Sequence, residues 1–215
     1  MNNLQDVIGA SRALLETKYQ AREIALAHGR ALTRTCANAI RAMHRGEFSE
    51  ARTTLDGARS EAAQVAQALA AHPDLYFAGY VQDAHKELAE AECLLALMQD
   101  RDLPTPEELS IETAAYLNGL AEAASEGRRY ALDCLRRGEL ARAQETLVKM
   151  DDILSVLTTL DYPDAVTSGL RRTCDALRAV VERTRGDVTL TVLQTRVLNA
   201  LTARAVPDPP AGGTV

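Results

Sequence analysis

The stretch KELAEAECLLAL, residues 86–97, places Glu87 and Glu90 one turn apart on a line that continues into Leu94 and Leu97. An α-helix advances about 100° per residue, so these four positions share one stripe. A stripe that turns apolar one turn later is not fully solvated. Two carboxylates there repel each other and lose hydration unless something positive sits between them. The segment TAAYLNGLAEAASEGRRYALD repeats the oddity, with Glu122, Glu126, Arg129 and Asp133 on one stripe. Upstream, that stripe meets Gly119 and Ala115, small residues that let another helix approach closely. If the two helices pack side by side, Glu87, Glu90, Glu122 and Glu126 converge. Such a cluster needs a cation, or protonation of some members. Oxygen ligands without His or Cys suit a hard ion, Mg²⁺ or Mn²⁺, rather than zinc. Carboxylate-held Mg²⁺ commonly serves phosphodiester hydrolysis.

The same residues have a plainer reading. Glu is a good helix former, and Glu–Arg pairs at i,i+3 decorate many solvated faces. The Glu-x-x-His pairs of a ferritin-type dimetal bundle are missing. Arg30, Arg34, Arg41 and Arg45 lie within a narrow arc of the first helix, forming a basic rail about four turns long. Such a rail can track a phosphodiester backbone, or it is a solvated face or an intersubunit salt-bridge strip. His44 beside it reads as a helix-end cap rather than a catalytic base. MDDIL (150–154) reads as an acidic stretch inside a helix. No Gly-rich phosphate loop, Ser/His/Asp trio or reactive-cysteine context is present.

The elements that must position these groups are all helical. Apolar residues make up 47% of the 215-residue chain but aromatics only 4%, with no Trp. A core must then be built from Ala, Leu and Val in closely packed helices. No alternating apolar pattern persists as a strand would require. Seven helical segments are predicted: 3–45, 48–71, 74–100, 111–138, 139–160, about 167–185, and 189–205. Gly46 closes the first and Gly138 the fourth, while QDRDLPTPEE and DYPDAV are connectors. HRGEFSEARTTL (44–55) and RRGELARAQETL (136–147) share a hinge pattern, read as two similar corners rather than a duplication. The helical domain is expected to span 1–205, followed by a disordered Pro/Gly tail, 206–215.

Charge and cysteine usage bound the setting. The net charge is −6. Residues 1–45 carry seven Lys/Arg against three Asp/Glu, and residues 46–110 carry four against thirteen, so basic and acidic regions are segregated. Cys36, Cys93, Cys134 and Cys174 lie far apart within helical patterns and read as reduced core thiols. No secretory leader and no run of about 20 apolar residues is seen, so a cytoplasmic protein without membrane association is expected.

The C-terminal half, MDDILSVLTTLDYPDAVTSGLRRTCDALRAVVERTRGDVTL, closely resembles the translin family, especially prokaryotic homologues of translin-associated factor X. The resemblance runs upstream through AYLNGLAEAASEGRRYALDCLRRGEL, HPDLYFAGYVQDAHKELAEA and AIRAMHRGEF, covering roughly residues 30–190. It implies a seven-helix fold, octameric shells of identical subunits, and binding of single-stranded RNA or DNA on an inner basic surface. In the translin-associated factor X branch it also implies a Mg²⁺-dependent endoribonuclease. The branch's Glu-x-x-Glu-Ala motif is matched at Glu87 and Glu90. Its second acidic motif is matched at Glu122, Glu126 and Arg129, with Glu122 where the family usually has Asp. The extra methylene moves the carboxylate by about a bond length, a change that Mg²⁺ geometry tolerates poorly. Gly127 is a further departure that loosens the helix by up to ~1 kcal/mol relative to Ala.

Three functions compete at this stage. The first is a metal-dependent endoribonuclease on single-stranded RNA. The second is a single-strand binder without catalysis, and the third a helical scaffold that binds no nucleic acid.

Overall fold

In the computed structural model, which describes residues 3–205, the helical periodicity becomes nine helices among the described residues, with no strand. Six are long: α1 (Leu4–His44), α2 (Phe48–Leu69), α4 (Gly79–Met98), α6 (Thr113–Arg136), α7 (Leu140–Leu157) and α9 (Leu170–Ala205). Three single-turn helices sit in the connectors: α3 (Pro73–Tyr76), α5 (Pro106–Leu109) and α8 (Asp164–Thr167). The last two segments predicted from sequence form one helix, because α9 runs through RTRGD without a break. Gly186 lacks the positive φ that marks the helix-ending glycines. The tail expected at 206–215 lies outside the described residues.

Gly46 and Gly138 end α1 and α6 by the same device. Each adopts a positive φ, +81° and +78°, a region that costs little only without a Cβ. Gly46 N–H donates to Met43 O, and Glu47 N–H reaches back to Ala42 O. Gly138 and Glu139 bond Leu135 O and Cys134 O in the same register. This is the Schellman closure, and it turns the chain tightly so that α2 returns along α1 and α7 along α6. The shared hinge motif is therefore a shared corner.

Helix α4 lies at the centre. It packs against α1, α2, α6 and α7, and Leu88, Ala89, Ala91, Cys93, Leu94 and Leu95 are all fully buried. Its neighbours come close because the facing residues are small. A Cβ on Gly119 would lie 2.5 Å from the Lys86 carbonyl oxygen and 2.9 Å from the Glu90 nitrogen. Only glycine fits there, and α4 and α6 cross almost backbone to backbone. Gly127 serves packing too: a Cβ there would meet Met150 Cγ of α7 at 3.3 Å. The four cysteines are buried free thiols, as read from the sequence.

Asn118 ties the last corner to this core. Its Nδ2 donates to Thr167 O at 2.8 Å, and its Oδ1 accepts from Thr173 Oγ1 at 2.6 Å. The outer ends of two long helices are different. Leu4, Val7, Ile8, Leu14 and Leu15 on α1, and Leu190, Leu193, Val197, Leu198 and Leu201 on α9, are exposed apolar side chains.

Candidate metal centre and nucleic-acid interface

The close α4–α6 crossing brings carboxylates from two helices together. One oxygen each from Glu87, Glu90 and Glu122 lies within 4.8 Å of the others, and all three residues are half-buried. Glu87 and Glu90 are partly withdrawn from water because α4 is packed on several sides, although Glu87 still borders an open groove. Burial pushes both acids up, and Glu90 reaches about 8, driven first by desolvation and then by Glu87, Glu122 and Glu126. At neutral pH this cluster holds a proton or needs a cation. Three convergent oxygens with no nitrogen or sulfur donor fit a hard divalent ion such as Mg²⁺ or Mn²⁺.

Glu126 stands apart from that trio. Its Oε1 is 2.6 Å from His44 Nε2 and 3.9 Å from Arg129. The His44 side chain is only 2% exposed, and its Nδ1 has no partner. His44 is thus not the helix-end cap expected from sequence. The α1 end is closed by backbone bonds, and the imidazole points across to α6.

Glu122 also has a partner that the sequence reading missed, since Lys86 Nζ donates to its Oε1 at 2.8 Å. A second missed residue is Glu92, a buried carboxylate, 3% exposed, on another face of α4. Arg52 grips it through two bonds, at 2.7 and 2.9 Å, and Arg59 adds a third at 2.6 Å. Burial raises the Glu92 carboxyl, but the two guanidiniums outweigh it and the net shift is downward. Glu92 is a structural anchor between α2 and α4. Its signal in the sequence was faint: an acid in an otherwise apolar run, with arginines seven residues apart on α2.

The basic rail divides into two parts. Arg30 and Arg34 are exposed and make no ion pair among the described residues. They line an open groove of about 490 Å³ between α1 and α4, together with Tyr80, Asp83 and Glu87. That volume lies within the range of ligand clefts. Arg41 donates to Asn38, and Arg45 is engaged by Glu47 and by Glu50 at 3.6 Å. Arg129 is exposed beside Glu126. The two free arginines and the acidic trio therefore meet at Glu87.

The described residues form an all-helical fold with a carboxylate trio at a helix crossing and, beside it, a groove into which Arg30 and Arg34 bring positive charge next to Asp83 and Glu87. No family model matches the chain. It is 31% identical over 175 residues to an uncharacterized protein of Methanocaldococcus jannaschii, covering 81% of this chain and 78% of that one. The structure of AfC3PO in complex with duplex RNA is similar at a TM-score of 0.81 and 31% identity, over 87% of this chain and 97% of that chain. AfC3PO alone is similar at 0.80 and 30% identity with the same coverage. The apo-NeC3PO structure is similar in fold at 0.75 and 18% identity, over 89% and 98% of the two chains. The chain belongs to the translin family, among its C3PO-type, translin-associated factor X-like members.

Proposed function

We propose that this protein is a metal-dependent endoribonuclease that cleaves single-stranded RNA. The observation that carries the reading is the junction at Glu87, where the carboxylate trio meets the groove lined by Arg30 and Arg34. Glu87, Glu90 and Glu122 would hold Mg²⁺ or Mn²⁺, with Glu126 one turn along α6 as the fourth candidate. A bound ion of this kind polarises the phosphate and lowers the pKa of a bound water. Arg30 and Arg34 hold the RNA backbone by phosphate contacts, with Arg41, Arg45 and Arg129 as outer contributors. Glu90, whose carboxyl is held high by burial, would have to release its proton to serve as a ligand. Support for RNA as the ligand comes from AfC3PO, whose structure was solved with duplex RNA.

The working form is a homo-oligomer, an octameric shell. The many exposed apolar side chains at the ends of α1 and α9 support this, because large apolar surfaces are normally covered by a neighbour. Among the described residues no helix is long and apolar enough to cross a membrane.

A second reading, RNA binding without cleavage, is favoured by one pair of contacts. Glu122 is engaged by Lys86 and Glu126 by His44, so two of the four acids already have partners. Incubating labelled single-stranded RNA with the protein in Mg²⁺ or in EDTA decides between them. Cleavage only in Mg²⁺ supports the nuclease; binding in both without cleavage supports the binder.

A further inference from the structure

Lys86 opens the KELAEA motif, and its ammonium is seated on the acidic trio. Its Nζ lies 2.8 Å from Glu122 Oε1, with the two side chains 26% and 32% exposed. Among the described residues it is the only Lys or Arg that forms an ion pair with Glu87, Glu90 or Glu122. The arginines of α6 are committed elsewhere: Arg128 to Asp187 at 2.8 Å, Arg129 to Glu126 and Arg136 to Asp133. The α-carbon of Lys86 is fixed, because its carbonyl lies against Gly119 at the helix crossing. The four-carbon stem is not, and a strongly hydrated ammonium on such a stem can swing out into solvent.

We propose that Lys86 is the resident cation of the trio, engaging the Glu122 carboxylate that a divalent ion would share and leaving it when that ion arrives. This inference rests on the reading of the three carboxylates as a cation site. Without an ion, three convergent carboxylates oppose close packing of α4 on α6, and the ammonium relieves that repulsion where the backbones nearly touch. A divalent ion brings twice the charge to the same oxygens and takes over the role. The two cations compete for the Glu122 carboxylate, so each weakens the binding of the other by the same factor, as linkage requires. Loading the site is then an exchange of one cation for another. In the metal-free state Lys86 keeps the crossing closed.

The test is calorimetric titration of the intact protein with Mn²⁺, without RNA. Lys86→Met should bind Mn²⁺ about fivefold tighter or more, within the ~5–150-fold span of typical site couplings. Lys86→Arg, which retains a cation, should stay near the wild type. Arg34→Gln, which removes a groove charge that touches no carboxylate, should stay within about twofold, separating exchange from a general field effect. In EDTA, Lys86→Met should melt below the wild type, and Mn²⁺ should raise its Tm by more than it raises that of the wild type. Equal or weaker Mn²⁺ binding by Lys86→Met overturns the exchange, as does an equal gain with Arg34→Gln. Failure of both wild type and Lys86→Met to bind Mn²⁺ overturns the cation-site reading itself, a different outcome from loss of the exchange alone.

Discussion

His44 Nε2 stands 2.6 Å from Glu126 Oε1, joining the last residue of α1 to the middle of α6 across 82 positions of sequence. The bond holds Glu126 on the α1 side of the cluster while Glu87, Glu90 and Glu122 converge. Truncating His44 removes a buried ring and leaves Glu126 to solvent. His44→Ala should lower stability by about 1–3 kcal/mol, measured by urea unfolding. His44→Gln, which keeps a donor in reach, should recover part of that loss. No loss in the Ala variant would show that the contact contributes nothing to the fold.

Glu90 makes one distinct contribution to the pH dependence of the metal-free protein. Its folded-state pKa, about 8, lies above the ordinary carboxylate value, so between about 4.5 and 8 the native state binds a proton that the unfolded chain has released. Through this group, stability is greatest at the acid end of that window and falls as pH rises through about 8. A divalent ion replaces the proton, so Mn²⁺ affinity should climb with pH across the window by up to about tenfold per unit. Thermal melts in EDTA and in Mn²⁺ at several pH values read both effects. A melting temperature in EDTA that Glu90→Gln leaves unchanged at pH 9 would contradict the assignment.

Two glycines of α6 should behave in opposite ways. In Gly119→Ala the new Cβ runs into the backbone of α4, at 2.5 Å from Lys86 O and 2.9 Å from Glu90 N. The helices must separate, at a cost of about 3 kcal/mol, and Mn²⁺ binding should fall with the trio's geometry. In Gly127→Ala the nearest atom is Met150 Cγ, the flexible part of an adaptable side chain. A helix-propensity gain of about 1 kcal/mol should offset the repacking, leaving stability within about 1 kcal/mol of wild type.

Much of this was legible in the sequence, for reasons visible in particular residues. The Gly stops at 46 and 138 and the prolines at 104 and 106 mark breaks that backbone chemistry enforces, so the long helices could be placed. The Gly119–Ala115 stripe correctly announced a close crossing. Gly186 was misleading because glycine permits a break without requiring one, and α9 continues through it while packing against α6 and α7. Of the four acids expected from helical spacing to converge, Glu87, Glu90 and Glu122 do so at that crossing, whereas Glu126 turns to His44. The partners Lys86, His44 and Glu92 did not follow, because each contact depends on the angle between helices distant in sequence. Spacing along one helix cannot supply that angle.

The groove arginines should carry the electrostatic part of RNA binding. For single strands each phosphate contact adds roughly 0.7 to the slope of log affinity against log salt. Replacing Arg30 and Arg34 by Gln should therefore flatten the slope by about 1.4. Arg45→Gln should change it less, because Glu47 and Glu50 already engage that guanidinium. A slope unchanged by the double substitution would make the rail a solvated face or a subunit contact.

The central claim is that the carboxylate trio is hydrolytic, and Glu90→Gln tests it most directly. The substitution keeps the shape of the side chain and removes a charge that burial already disfavours, so the variant should fold at least as stably without metal. The measurement is cleavage of end-labelled single-stranded RNA in Mg²⁺ by wild type and variant, with binding followed in parallel. The account predicts cleavage by the wild type that EDTA abolishes, and no cleavage by Glu90→Gln with RNA affinity retained through Arg30 and Arg34. Undiminished cleavage by Glu90→Gln, or wild-type cleavage that persists in EDTA, would contradict it.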